Sequence, residues 1–249
     1  MLKLPLKKMI LSVGGILFCT LQFTFGYSGA AKGAESYKSK IALKLSSNLL
    51  EGNYAALYDS LNLELKGLSQ KAFEEAVKGF NYLKERGKIN NTDLITIADF
   101  SKPSTKKRLF IIDLVNSKIL FNTYVAHGQN SGREYANELS NIPDSYQSSP
   151  GFYVTSSTYN GKNGFSMYLY GMEKGINDRA YDRAIVMHGA PYVSEDFVNS
   201  HGYLGRSWGC PAVPEHLSKQ IISKIKNGTC LFIYSDKENY LQRSTILNS

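Results

Sequence analysis

Apolar residues first recur at a helical period. Ala72, Phe73, Ala76, Val77, Phe80 and Leu83 fall three and four residues apart, with Ser69 placed to cap and Gly87 placed to stop. The stretch from about Ser36 to Arg86 therefore reads as helical, with one or two shorter helices over Asn53–Leu68 and a turn near Gly67. After Asn90-Asn91 the pattern becomes extended: Leu94–Phe100 and Arg108–Leu114 are rich in β-formers, and Val115–Lys118 is a turn into Ile119–Val125. Gly128–Pro150 is polar and aperiodic, a surface loop long enough to be functional. Short strands are expected at Gly151–Thr155, Met167–Tyr170 and Ala184–Met187. Pro214 opens a helix with Leu217, Ile221, Ile222 and Ile225 on one side, closed by Gly228. A core strand through Tyr234 follows, and the tail beyond Asp236 is expected to be peripheral. The class implied is α+β, mainly β, with an N-terminal helical extension packed on a sheet-based domain.

The N-terminus carries a different signal. Lys3, Lys7 and Lys8 precede an apolar segment from Met9 to about Phe25, and small residues follow at Ser28-Gly-Ala30-Ala31. This is the layout of a secretory signal peptide, with cleavage expected before Ala31. The competing reading is a retained membrane anchor, since roughly 17 apolar or neutral residues is the lower limit for a spanning helix. The chain thus divides into a signal peptide (1–30), a helical extension (31–90), a sheet-based domain (91–236) and a C-terminal tail (237–249). The formal net charge of +8 includes the three signal lysines, so the exported chain keeps a modest positive balance suited to a carboxylate-rich polymer. No Lys/Arg run with interleaved aromatics argues for nucleic acid.

The candidate chemistry lies near the C-terminus. The run Ala184–Met187 delivers His188 at its polar end, followed by Gly189. Gly205-Arg206-Ser207-Trp208-Gly209-Cys210-Pro211 then delivers a cysteine in a glycine-rich turn. A thiol is mostly protonated near neutral pH, so a nucleophilic cysteine needs an imidazole to take its proton. Gly209 permits a sharp turn, with the N–H groups of Gly209 and Cys210 expected to point at a developing oxyanion. His201 lies in a stretch expected to be a loop and is the rival base; a strand end holds an imidazole more rigidly, which favours His188. His127 is a candidate cleft or structural residue, and His216 is expected to be exposed. Once the signal segment and Cys19 are removed, Cys210 and Cys230 remain, so a structural disulfide in a non-catalytic module is the main competing reading. The apolar strand around Cys230 favours a buried, inert thiol instead. The His and Cys spacings match no metal site, and the chemistry calls for no cofactor.

His188-Gly189 followed by Ser207-x-Gly209-Cys210 resembles the signature of YkuD-type L,D-transpeptidases, cysteine enzymes that cross-link or edit bacterial peptidoglycan. Gly205-Arg-Ser-x-Gly-Cys-Pro-Ala212 resembles in particular the murein L,D-transpeptidase catalytic-domain branch. Thr96–Ser104, Val125–Gly132 and Arg183–Gly189 carry the same likeness, which runs from about Ala72 to Tyr234. Trp208 departs from the wider pattern, which has histidine directly before Gly-Cys, so any role of that histidine does not transfer. The resemblance implies a YkuD-like sheet or barrel-type domain with Cys210 as nucleophile, His188 as base, and Ser207 and Gly209 shaping the site. Arg206, Trp208, Gly189, Arg183 and Tyr192 would contact substrate. It implies peptidoglycan stem peptides as substrates, carbapenems as inhibitors, and a bacterial periplasmic or cell-envelope location, touching the membrane only through an uncleaved signal segment. An L,D-carboxypeptidase would use the same residues with water as acceptor.

Overall fold

The computed structural model describes residues 54–249, so the proposed signal segment and the start of the helical extension lie outside the described residues. Two helices come first, α1 (Tyr54–Ser60) and α2 (Gln70–Glu85). Ser69 caps α2 as expected, its Oγ accepting from Ala72 N–H at 3.2 Å. Three strands follow as a meander, β1 (Leu94–Asp99), β2 (Leu109–Asp113) and β3 (Lys118–Thr123). The polar loop then leads to β4 (Gly151–Gly161), β5 (Gly164–Gly171) and β6 (Val186–Ala190). After α3 (Glu195–His201) come β7 (Ala212–Pro214), α4 (Glu215–Ile225), β8 (Cys230–Tyr234) and α5 (Glu238–Arg243).

The eight strands form one sheet in the order β3-β2-β1-β8-β4-β5-β6-β7. Its ends nearly meet: Ala126, just past β3, bridges Ala212 of β7, with Ala126 N–H donating to Ala212 O at 2.8 Å. The result is an α+β, mainly β architecture built on an almost closed sheet.

β1 and β8 are buried throughout, as a sheet covered on both faces requires, and successive residues alternate between two cores. Ile95 and Ile97 of β1 and Cys230, Phe232 and Tyr234 of β8 face the helices, among Phe73, Val77, Phe80 and Leu83 of α2. Leu94, Ala98, Leu231 and Ile233 face the other way, into a core shared with Met167, Met187 and the Ile221, Ile222 and Ile225 stripe of α4. Gly79 lets α2 sit close, because a Cβ there would lie 2.0 Å from the Phe152 ring. Each phenylalanine buried at that interface contributes on the order of 1.5–3 kcal/mol.

Three local expectations are corrected. β6 runs through His188 to Ala190, so the histidine lies within the strand, fixed in register opposite Ser166 and Ala212. His201 ends a helix instead of lying in a loop, because Ser194 caps α3 by accepting from Phe197 N–H at 3.2 Å and Gly202 closes it in the left-handed region at φ 79°. The tail is not peripheral: Tyr240, Ile246 and Leu247 are buried, and the Tyr240 and Ser244 hydroxyls both donate to Glu173, itself buried. Burial pushes the Glu173 carboxyl above the usual carboxylate range although Ser244, Phe152 N–H and Tyr240 bond to it.

Candidate active site

β6 and β7 run parallel with His188 opposite Ala212, which brings the cysteine two residues before Ala212 to the start of β6. Cys210 Sγ lies 3.5 Å from Val186 N and 3.8 Å from Ala184 O. The carbonyl can only accept, so the resting group on that contact is a thiol. Cys210 is half-buried, and burial pushes its thiol up from the usual 9.0 while Val186 N–H and the Arg183 charge pull it down. His188 is buried, with Nδ1 2.9 Å from Gly189 O. Because the carbonyl accepts, the neutral ring carries its proton on Nδ1 and presents an unprotonated Nε2, which makes no hydrogen bond among the described residues. Burial holds its pKa below the ordinary 6.5, against the raising effect of that carbonyl. Sγ and the imidazole are not hydrogen-bonded to each other in this resting arrangement; such contacts often tighten only in the substrate complex.

The turn that carries Cys210 is braced by hydrogen bonds. Ser207 N–H donates to His127 O at 3.0 Å, and Ser207 Oγ donates to Cys210 O at 2.6 Å while accepting from Gly209 N–H at 3.1 Å. Gly209 therefore does not offer its N–H to an oxyanion as expected. The N–H of Cys210 makes no hydrogen bond among the described residues and is the free donor. Gly209 has φ 117°, and a Cβ there would meet Gln147 O at 2.7 Å, so only glycine fits the turn. Ser148 locks it further: its buried hydroxyl donates to Gly209 O at 3.1 Å and accepts from Gly128 N–H at 3.0 Å.

Two residues expected to hold substrate are occupied otherwise. Arg183 donates to Ser140 O, Ser149 Oγ, Ser145 Oγ and Gln147 O at 2.6–3.2 Å, which clamps the long polar loop beside the cysteine. Gly189 faces α4, where a Cβ would lie 2.6 Å from Ser218 Oγ; its small size serves packing. Arg206 makes only long contacts, 3.4 Å to Gln129 O and to Gly132 O, and lies over the Tyr203 ring, leaving most of its guanidinium available. Trp208 is 67% exposed and leans on Tyr146 at 5.4 Å between ring centroids. Tyr192 is half-buried with its phenol pushed up to about 12, by burial and then by the Cys210 charge.

The rival groups are placed elsewhere. His201 stacks on Phe197 at 4.0 Å and its Nδ1 is bound to Phe197 O, on an exposed helix end. His216 is exposed on α4. Cys230 is free and buried on the helix side of the sheet, whereas Cys210 packs against the opposite core, so the two thiols do not form the disulfide considered above. Sequence reasoning missed Ser166, directly opposite His188, and the Tyr159 and Tyr168 rings beside it. The alternation Ser166-Met-Tyr168-Leu-Tyr170 was the legible signal, since period two separates these from the core residues Met167 and Leu169.

A family model described as L,D-transpeptidase catalytic domain matches residues 64–234. Among solved structures, the chain is similar to the LD transpeptidase LdtMt1 in complex with imipenem, at 16% identity and TM-score 0.35, over 57% of this chain and 59% of that one. It is similar to the helical cell shape determining protein Pgp2 from Campylobacter jejuni at 15% identity and TM-score 0.37, over 58% and 48%. The L,D-transpeptidase from Stackebrandtia nassauensis matches at 12% identity and TM-score 0.35, over 68% and 69%. The chain thus spans less than two thirds of the first two of these structures. No curated protein matches at a significant level.

Proposed function

With residues 64–234 matched, the chain belongs to the L,D-transpeptidase catalytic-domain family, and on that premise we propose that it is a secreted cysteine acyltransferase acting on peptidoglycan stem peptides. The observation that carries this reading is a free thiol two residues before Ala212, the strand partner of His188, together with an imidazole whose Nε2 is unprotonated and unengaged among the described residues. Cys210 Sγ attacks the carbonyl that joins the third residue of the stem, a diamino acid, to the terminal D-alanine. His188 Nε2 accepts the thiol proton. The Cys210 N–H meets the oxyanion, and the C–N bond breaks as the imidazolium returns its proton to the departing amine. The acyl group of the remaining thioester then passes to an amine of a neighbouring stem: the C–N bond forms, the C–S bond breaks, and His188 takes the amine proton and returns it to the departing Cys210 sulfur. No nucleotide is consumed, because the thioester conserves the energy of the broken amide.

The pKa directions define the order of events. A thiol pushed up and an imidazole held down form no thiolate–imidazolium pair at rest, so proton transfer accompanies attack and His188 works as a general base. Arg183 holds the loop and lends its charge to the forming thiolate. Arg206 is the available cation for a stem carboxylate.

Incubation with a stem tetrapeptide tests the reading. Mass analysis should find released D-alanine, a thioester on Cys210, and a cross-linked dimer. Tripeptide without dimer would make the protein an L,D-carboxypeptidase, and no release at all would remove the proposal. Export belongs to the same proposal: the envelope-associated protein should begin near Ala31, and an intact mass starting at Met1 would replace cleavage by anchoring.

A further inference from the structure

Residues directly opposite in an antiparallel pair project to the same face, and residues two apart on a strand do so too. Ser166 is opposite His188, Tyr168 is opposite Val186 and Tyr159 is opposite Ser166, so the face that carries the imidazole also carries Tyr159, Tyr168 and Tyr170. Tyr181, from the loop before β6, completes a continuous row of ring contacts: Tyr159 stacks on Tyr168 at 4.6 Å, Tyr168 meets Tyr181 tilted at 5.5 Å and Tyr181 stacks on Tyr170 at 5.0 Å between ring centroids. The row begins beside the imidazole, since Tyr159 lies opposite Ser166 and Ser166 opposite His188. It then runs outward to Tyr181 and Tyr170, which are 49% and 42% exposed. The hydroxyls of Tyr168, Tyr170 and Tyr181 bond to no protein group among the described residues.

Four phenols in ring contact, three of them with unengaged hydroxyls, form an uncharged surface, apolar over the rings and hydrogen-bonding at the edges. A core packing role would hide these rings, and a site for a charged ligand would place cations or carboxylates among them. A sugar strand matches the surface, with C–H faces for the rings and hydroxyl and acetamido groups for the phenols. We propose that the Tyr159–Tyr168–Tyr181–Tyr170 stack is a glycan subsite, holding the polysaccharide strand from which the stem peptide hangs while the stem reaches Cys210. The choice of polymer rests on the proposed function; the sugar chemistry rests on the stack itself.

The test uses chitohexaose, an oligomer of N-acetylglucosamine with no peptide, titrated calorimetrically into the protein carrying Cys210→Ala. Binding should saturate at one site and weaken about tenfold when the two exposed rings are removed together in Tyr170→Ala/Tyr181→Ala. Tyr170→Phe/Tyr181→Phe, which keeps the stack and protects against a folding artefact, should lose only part of the affinity. Tyr135→Ala, an exposed tyrosine outside the stack, should change nothing. No binding by the parent, or binding that the Ala pair leaves intact, overturns the subsite. So does concentration-dependent dimerisation that the Ala pair abolishes in a protein without affinity for the oligomer, because the stack would then be a self-association surface. Thioester chemistry plays no part in the measurement, so a failed acyl transfer and a failed subsite are read separately.

Discussion

The chain contains the dipeptide His-Gly three times, at 127–128, 188–189 and 201–202, and the surroundings give the first two imidazoles opposite capacities. His127 is fully buried, and both nitrogens are engaged: Nδ1 accepts from the Arg108 guanidinium at 2.8 Å and Nε2 donates to Gly132 O at 3.1 Å. Arg108 is also fully buried and has no carboxylate within ion-pair distance among the described residues. It bonds Val125 O and Lys102 O and lies over the Phe100 ring, and burial lowers its pKa to about 9 with only the Asp99 charge opposing. His188 has one nitrogen fixed by a carbonyl and the other open. A saturated imidazole holds structure, whereas a half-saturated one can move a proton. The two regions are nevertheless joined, because the His127 carbonyl accepts from Ser207 N–H in the nucleophile turn.

The largest expected effect contrasts the two thiols. Carbapenem treatment of the native protein should add one acyl group per chain at Cys210, persistent enough to weigh because the opened ring stays attached. Cys210→Ala should abolish the adduct and Cys230→Ala should retain it, since Cys230 is buried in the helix-side core and burial pushes its thiol far up. An adduct that survives Cys210→Ala would end the case for Cys210 as the nucleophile.

Next in size is the contrast between bases. His188→Ala should slow acylation of Cys210 by at least about 10²-fold with little change in melting temperature, as expected for loss of a positioned base. His201→Ala should cost far less, because that ring is held on Phe197. The reverse order in single-turnover measurements would move the base to α3.

The third prediction tests the saturated histidine. His127→Ala removes a partner from a buried guanidinium and should destabilise by about 2 kcal/mol, the range for a hydrogen bond to a charged group. That corresponds to a fall of roughly 4–8 °C in melting temperature for a chain of this size. Acylation by the protein that remains folded should drop only a few-fold, through the Ser207 contact. A loss of rate as large as that of His188→Ala, without the thermal shift, would make His127 a catalytic residue and dissolve the contrast.

How much of this was legible depends on range. The helix over Gln70–Glu85, the meander and the strand at Cys230–Tyr234 follow from local periodicity, and the Cys210 and His188 segments stood out by residue type and glycine placement. Parallel pairing of the three-residue β7 with β6 left no periodic trace, although it is what sets Cys210 beside Val186. The buried tail was illegible for the same reason, since its anchor Glu173 lies 71 positions before Ser244 in the chain. For Arg183 and Gly189 the residue type records capacity and not occupancy: a guanidinium suited to a carboxylate here bonds a loop, and the glycine after His188 lies against a helix.

The smallest effects separate the two imidazoles by pH. Burial holds the His188 pKa below 6.5, and the base works only when neutral, so the acid limb of kcat/KM for acylation should fall below pH 6.5. His127 titrates in stability instead. Its folded pKa is lowered to about 3, first by burial and then by the Arg108 charge, while the unfolded chain takes up the proton near 6.5. Its contribution is therefore fully present above pH 6.5 and is lost as pH falls toward 3, with a slope of at most about 1.4 kcal/mol per pH unit. Carboxylates add slopes of their own, so the informative quantity is the difference between native protein and His127→Asn in chemical unfolding from pH 7 to pH 4.5. The native protein should lose stability more steeply by up to one proton, and His188→Ala should keep more of that steepness than His127→Asn while losing the rate limb. Equal unfolding slopes in the native protein and His127→Asn would show that His127 exchanges its proton as freely folded as unfolded, and the closed arrangement at Arg108 would have to be abandoned.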